Sequence, residues 1–74
     1  MEKSIRFDRH ARRRMQWRGI SEAEVTQVLN DPDETETSIK GRMNAFKTIG
    51  SKYLKVTYRD LSEELLVISV VNKA

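Results

Sequence analysis

The sequence predicts an α+β domain, with two short N-terminal helices packed on a three- or four-stranded antiparallel sheet. Three observations lead there. Helix start and stop signals cluster before Pro32. After Pro32 the apolar period changes from helical to two. Gly50-Ser51 separates two alternating runs, as a hairpin turn with glycine first would.

Ser4 to Phe7 alternates and reads as a short strand or an extended lead-in. Asp8 is placed as an N-cap, its carboxylate accepting from the free N–H groups of the first turn. The first helix then covers RHARRRMQWR and stops at Gly19, a residue that tolerates the left-handed backbone past a helix end. Ala11, Met15 and Arg18 form one stripe, with Phe7 leading in. His10, Arg14 and Trp17 form the next. A helix this short and basic repels itself, so packing must hold it.

Ser21 and Glu24 have the spacing of a capping box, and Ile20 can staple onto Val25. Val25, Val28 and Leu29 make the inward stripe of the second helix. Pro32 restricts Asp31, so the helix ends near Asn30. Glu34 to Ile39 is a weak polar strand that decides between three strands and four. Met43 to Ile49 is a firmer one. Lys52 to Arg59 alternates cleanly, with Leu54, Val56 and Tyr58 on one face and Tyr53, Lys55, Thr57 and Arg59 on the other. Asp60 to Glu64 is a turn. Leu65 to Val71 is nearly all apolar, as a strand covered on both faces would be.

Seventy-four residues hold one domain, 1–74. A domain of this size buries only about 60% of the surface its unfolded chain exposes. A partner or a second copy, as in a homodimer, would add burial. The chain has no cysteine and one histidine, which excludes disulfides and makes a zinc site unsupported. No calcium-loop spacing is present around Asp31, Asp33, Glu34 and Glu36. No cofactor is therefore expected. No apolar run has the length of a signal peptide or a membrane span, and a cytoplasmic setting with no membrane partner is expected.

Charge alternates in blocks. Residues 1–20 carry seven basic and two acidic side chains, residues 21–38 six acidic and no basic, and residues 39–59 six basic and no acidic. Such blocks suit a phosphate-binding surface beside an acidic flank. They equally suit a solvated exterior with internal ion pairs.

Several side chains could carry chemistry. His10 is the side-chain type that titrates near neutral pH, and it suits a base or a substrate-orienting group; it also suits a packing role at a helix start. Consecutive arginines at 12, 13 and 14 point in different directions, so at most two reach one phosphate surface. Arg14 and Arg18 are candidates for backbone contact with RNA. Tyr53, Lys55, Thr57 and Arg59 make a basic strand face with an aromatic, a platform on which single-stranded RNA can stack and pair. Lys47 extends that patch if the register allows. Cleavage by 2′-hydroxyl attack needs a base, an acid and cations, which Lys, Arg and Tyr can supply without metal. On this reading Arg59, Lys55 and Lys47 hold the scissile phosphate, and Tyr53 stacks or relays a proton. Basic residues on an open sheet face also serve solubility alone. Trp17 is a core or interface anchor, or a base-stacking group.

The segment HARRRMQWRGISEAEVTQVLNDPD resembles domain-of-unknown-function family 4258. The positions that carry it are His10, Ala11, Met15, Arg18, Gly19, Ile20 and Pro32-Asp33, and YLKVTYRD and LLVISVV are similar to the family's closing hairpin. Of the candidate site residues, only His10 and Arg18 fall on that motif. That family looks allied to the RelE/ParE superfamily of toxins and to its BrnT-like members. The resemblance implies a RelE-like fold and a toxin of a toxin–antitoxin system. Many such toxins are endoribonucleases cutting messenger RNA, often on the ribosome, and are held by a cognate antitoxin. Two other functions stand beside it: a non-catalytic RNA- or protein-binding module, and a ParE-type toxin with a protein target.

Overall fold

A computed structural model describes residues 3–74. The chain begins with strand β1 (Ser4–Phe7), followed by helices α1 (Arg9–Arg18) and α2 (Glu22–Asn30). Strands β2 (Glu34–Thr37), β3 (Arg42–Ile49), β4 (Lys52–Asp60) and β5 (Glu64–Asn72) complete it.

Both helices have the ends the sequence predicts. At Gly19 the backbone is left-handed, with φ 67°. The Gly19 N–H donates to the Gln16 carbonyl at 3.3 Å and the Ile20 N–H to the Met15 carbonyl at 2.9 Å, a Schellman closure. The capping box of α2 is complete: the Glu24 N–H donates to Ser21 Oγ at 3.1 Å, and the Ser21 N–H donates to Glu24 Oε1 at 2.9 Å. The start of α1 differs. Asp8 has N-cap backbone geometry, but its side chain makes no capping hydrogen bond. Its main chain is used instead, donating to the Val67 carbonyl at 2.9 Å and accepting from Arg12.

Among the described residues five strands form one sheet in the order β1-β5-β4-β3-β2. The expected antiparallel sheet of three or four strands is thus corrected to a mixed one of five. Residues 34–37 pair antiparallel with β3, and β1 pairs parallel with β5. The parallel pair arises because two helices separate β1 from the meander and return the chain to the far edge.

One face of the sheet carries the core. Ala45, Leu54, Val56, Val67 and Val70 meet Ala11, Met15, Ile20, Val25 and Val28, all buried. Ile5, Phe7, Leu29, Ile49 and Tyr58 pack around them. The Leu54, Val56 and Tyr58 side of β4 therefore faces the helices, and α2 turns Val25 and Val28 inward as expected, with Leu29 half-buried. On α1, Ala11 and Met15 face the core while Arg18, on the same stripe, is exposed. The expectation for β5 is corrected. Helices cover only one of its faces, and Leu66 and Val71 on the other are half-buried. Ile68 is left over where the β4–β5 register shifts, a β-bulge in β5.

Lys52 ties the layers together, donating to the Gly19 carbonyl at 2.9 Å and to both Glu24 oxygens at 3.0 and 3.2 Å. The Ser21 backbone N–H and then the Lys52 ammonium hold the Glu24 carboxyl below its usual range. The Thr48 backbone N–H, aided by Lys47, does the same for Asp33. Groups with depressed folded values stabilise fully above the unfolded carboxyl value, about 4.3 for glutamate, and lose that contribution as pH falls through the folded value. Thermal melts should therefore decline below about pH 4.5, and Glu24→Gln should flatten that decline. An unchanged pH profile in Glu24→Gln would remove Glu24 from the explanation.

Candidate nucleic-acid interface

Among the described residues no helix covers the sheet face opposite the core, which is left bare. Register decides what it displays. Gly50, with φ 60°, and Ser51 make a two-residue turn, so Ile49 pairs with Lys52 and the rest follows by counting back. Thr48 lies opposite Tyr53, Phe46 opposite Lys55, Asn44 opposite Thr57, and Arg42 opposite Arg59. Successive side chains alternate between faces. The bare face therefore collects Tyr53, Lys55, Thr57 and Arg59 with Arg42, Asn44, Phe46 and Thr48.

Three zones result. At one end Phe46 and Tyr53 stack, with ring centroids 5.9 Å apart and an interplanar angle of 21°. In the middle Thr57 Oγ1 donates to Asn44 Oδ1 at 2.7 Å, and Asn44 Nδ2 donates to Glu36 Oε1 at 3.1 Å. This ladder explains how the buried Asn44, 5% exposed, keeps its polar atoms satisfied. At the other end Arg42 and Arg59 lie side by side. Leu66 and then Arg6 continue that row, with Arg6 held by Glu64 at 2.8 Å. Among the described residues, Arg42, Lys55 and Arg59 form no salt bridge. Lys55 and Arg59 are four residues apart, about 13 Å at strand rise.

Lys47 does not join this face. It pairs with Leu54 on the helix side, where its ammonium meets the Asp31 carbonyl at 2.9 Å and the Asp33 carboxylate at 3.5 Å. Its expected place beside Lys55 is corrected: the odd offset from Phe46 sends it through the sheet. His10 is exposed in the first turn of α1, in the helix layer. The sheet lies between it and Lys55 and Arg59, so these three do not assemble one catalytic group. Arg18 lies at the end of α1 and donates to the Val70 carbonyl at 2.7 Å. β1 pairs with β5 only as far as Val67, and Arg18 occupies the edge of β5 beyond it. Arg14 is exposed on α1. Trp17, 90% exposed, is not a core residue.

The bare face can therefore stack planar groups at Phe46 and Tyr53 and pair with anions at Lys55, Arg59 and Arg42, while the ladder between them stiffens the sheet. Glu34, opposite Phe46, and Glu36 add carboxylates on β2. Sequence reasoning missed Arg42, Asn44, Phe46 and the two glutamates. The two-residue turn was the signal that could have found the first three.

No helix among the described residues is long and apolar enough to cross a membrane. No curated protein and no solved structure matches the chain. Residues 7–72 match a family model described as Domain of unknown function (DUF4258), a span that includes both helices, the four later strands and their part of the bare face. The chain belongs to the DUF4258 family.

Proposed function

We propose that this domain binds single-stranded RNA on the bare face of its sheet. The observation that carries the reading is the alignment of a stacked aromatic pair with three cations that form no salt bridge among the described residues, all on one uncovered surface. Aromatic rings accept unstacked bases, and lysine and arginine pair with the phosphates between them. Half-buried Leu66 and Val71 beside them make the surface amphipathic rather than merely charged.

A second reading, a RelE- or BrnT-like toxin that cuts the bound RNA, draws on the family resemblance and on one local feature. Glu34 and Glu36 bring carboxylates to the same face as Lys55, Arg59 and Arg42, so a proton acceptor and phosphate-binding cations share it without His10. An antitoxin would then cover this face. A ParE-type protein target has no such feature behind it.

Residue-resolved NMR with a short single-stranded RNA tests both. Amide signals of Thr48, Tyr53, Lys55 and Thr57 should shift saturably, with affinity falling steeply as salt rises. Electrophoresis of the same RNA separates the readings: intact RNA supports binding alone, and cut RNA supports the toxin, with growth arrest on induced expression. Unshifted β3 and β4 amides at millimolar RNA would overturn both.

A further inference from the structure

A second surface of the molecule is built from different parts. His10, Arg13, Arg14 and Trp17 stand at i, i+3, i+4 and i+7 on α1, one continuous stripe, while Ala11 and Met15 face the core. All four are exposed, and Trp17 is 90% so. A small domain with a thin core leaves its largest apolar side chain in water.

The arginines of α1 divide into two groups. Arg12 meets Glu22 at 3.2 Å, and Arg18 donates to the Val70 carbonyl. Arg9, Arg13 and Arg14 form no salt bridge among the described residues. Like charges one turn apart destabilise a helix, and Arg9 with Arg13 and Arg14 with Arg18 are both such pairs. Among the described residues no salt bridge of Arg9, Arg13 or Arg14 offsets this arrangement. A polyanion would reverse its sign.

We propose that the outer face of α1 is a second nucleic-acid contact, at which Trp17 stacks on an unpaired base and Arg13 and Arg14 pair with the flanking phosphates. The composition of the patch selects this occupant. Protein interfaces need a desolvated apolar centre. Among the described residues Trp17 is alone here: the other large exposed apolar residue is Ile39, beyond α2 in the β2–β3 connection. A single ring among guanidinium groups is instead the pattern for stacking with phosphate pairing. The proposal stands apart from the sheet-face reading, because it uses none of the same residues.

Trp17 is the only tryptophan in the chain, so its fluorescence reports this surface alone. A 12-nucleotide single-stranded RNA should quench it saturably, less so at high salt. Arg13→Ala with Arg14→Ala should weaken that signal about tenfold, and Lys55→Ala with Arg59→Ala should move it less than about twofold. Both pairs are solvent-facing or half-exposed, and circular dichroism checks that each variant is folded. Unchanged fluorescence at RNA concentrations that shift the sheet amides would overturn the proposal and leave the sheet reading standing. So would quenching that survives loss of both arginines, or equal quenching by poly-glutamate, which would assign the patch to an acidic protein.

Discussion

Lys55→Ala combined with Arg59→Ala is expected to weaken RNA binding at the sheet face about tenfold or more. The salt dependence should flatten as well. Each neutralised phosphate on a single strand contributes about 0.7 to the slope of log affinity against log salt, so losing two cations should lower it by about 1.4. The NMR titration of β3 and β4 amides measures both quantities at this face. Tyr53→Ala should weaken binding with little change in slope, because stacking releases no counterions. Lys47→Ala is the informative control. A basic residue one position from Phe46 should leave binding unchanged, since its ammonium sits against Asp31 and Asp33 on the other side of the sheet. Equal losses from Lys47→Ala and Lys55→Ala would mean that net charge, not the face, governs binding.

Leu54→Ala should come close to unfolding the domain. Leu54 is fully buried in the middle strand, against the helices. Truncating a buried leucine costs about 2–5 kcal/mol, from lost transfer energy and the cavity left behind. Small domains hold about 0.05–0.15 kcal/mol per residue, so this loss approaches the total for a chain of this length. Leu66→Ala, on the bare face, should cost about 1 kcal/mol or less, because its side chain is only half-buried. Urea unfolding of the two variants makes the comparison. Equal losses would show the bare face covered in solution, by a second copy of the chain.

Local chemistry decided much of this molecule before any tertiary contact. The left-handed residue at Gly19, the Ser21–Glu24 box and the stop at Pro32 are nearest-neighbour effects, and both helices end where they predict. Alternation along β4 likewise placed Leu54, Val56 and Tyr58 on one side and Lys55, Thr57 and Arg59 on the other. Strand pairing is a different kind of fact. Ser4–Phe7 is equally extended alone or paired, and only the two intervening helices carry it to the β5 edge, where it makes the sheet mixed. Asp8 had the residue type of a cap, but β5 recruited its backbone and its carboxylate stayed free of the helix.

The candidate site divides along the same line. The residues of one strand face were readable, because a pleat has period two. The neighbouring strand's contribution was not taken from the sequence, although a two-residue turn determines it by counting. That step removes Lys47 and adds Arg42, Asn44 and Phe46. His10 illustrates what no pattern could supply. Its distance from Lys55 depends on which face of the sheet the helices choose, and that choice is made by the burial of Val67 and Val70 beneath Met15. By itself, then, the sequence determined two capped helices, a hairpin and the sidedness of β4, all set by interactions within a few residues. The tertiary structure alone decided that β5, apolar on both sides, has only one side covered, because two short helices hold enough apolar surface to seal a single face.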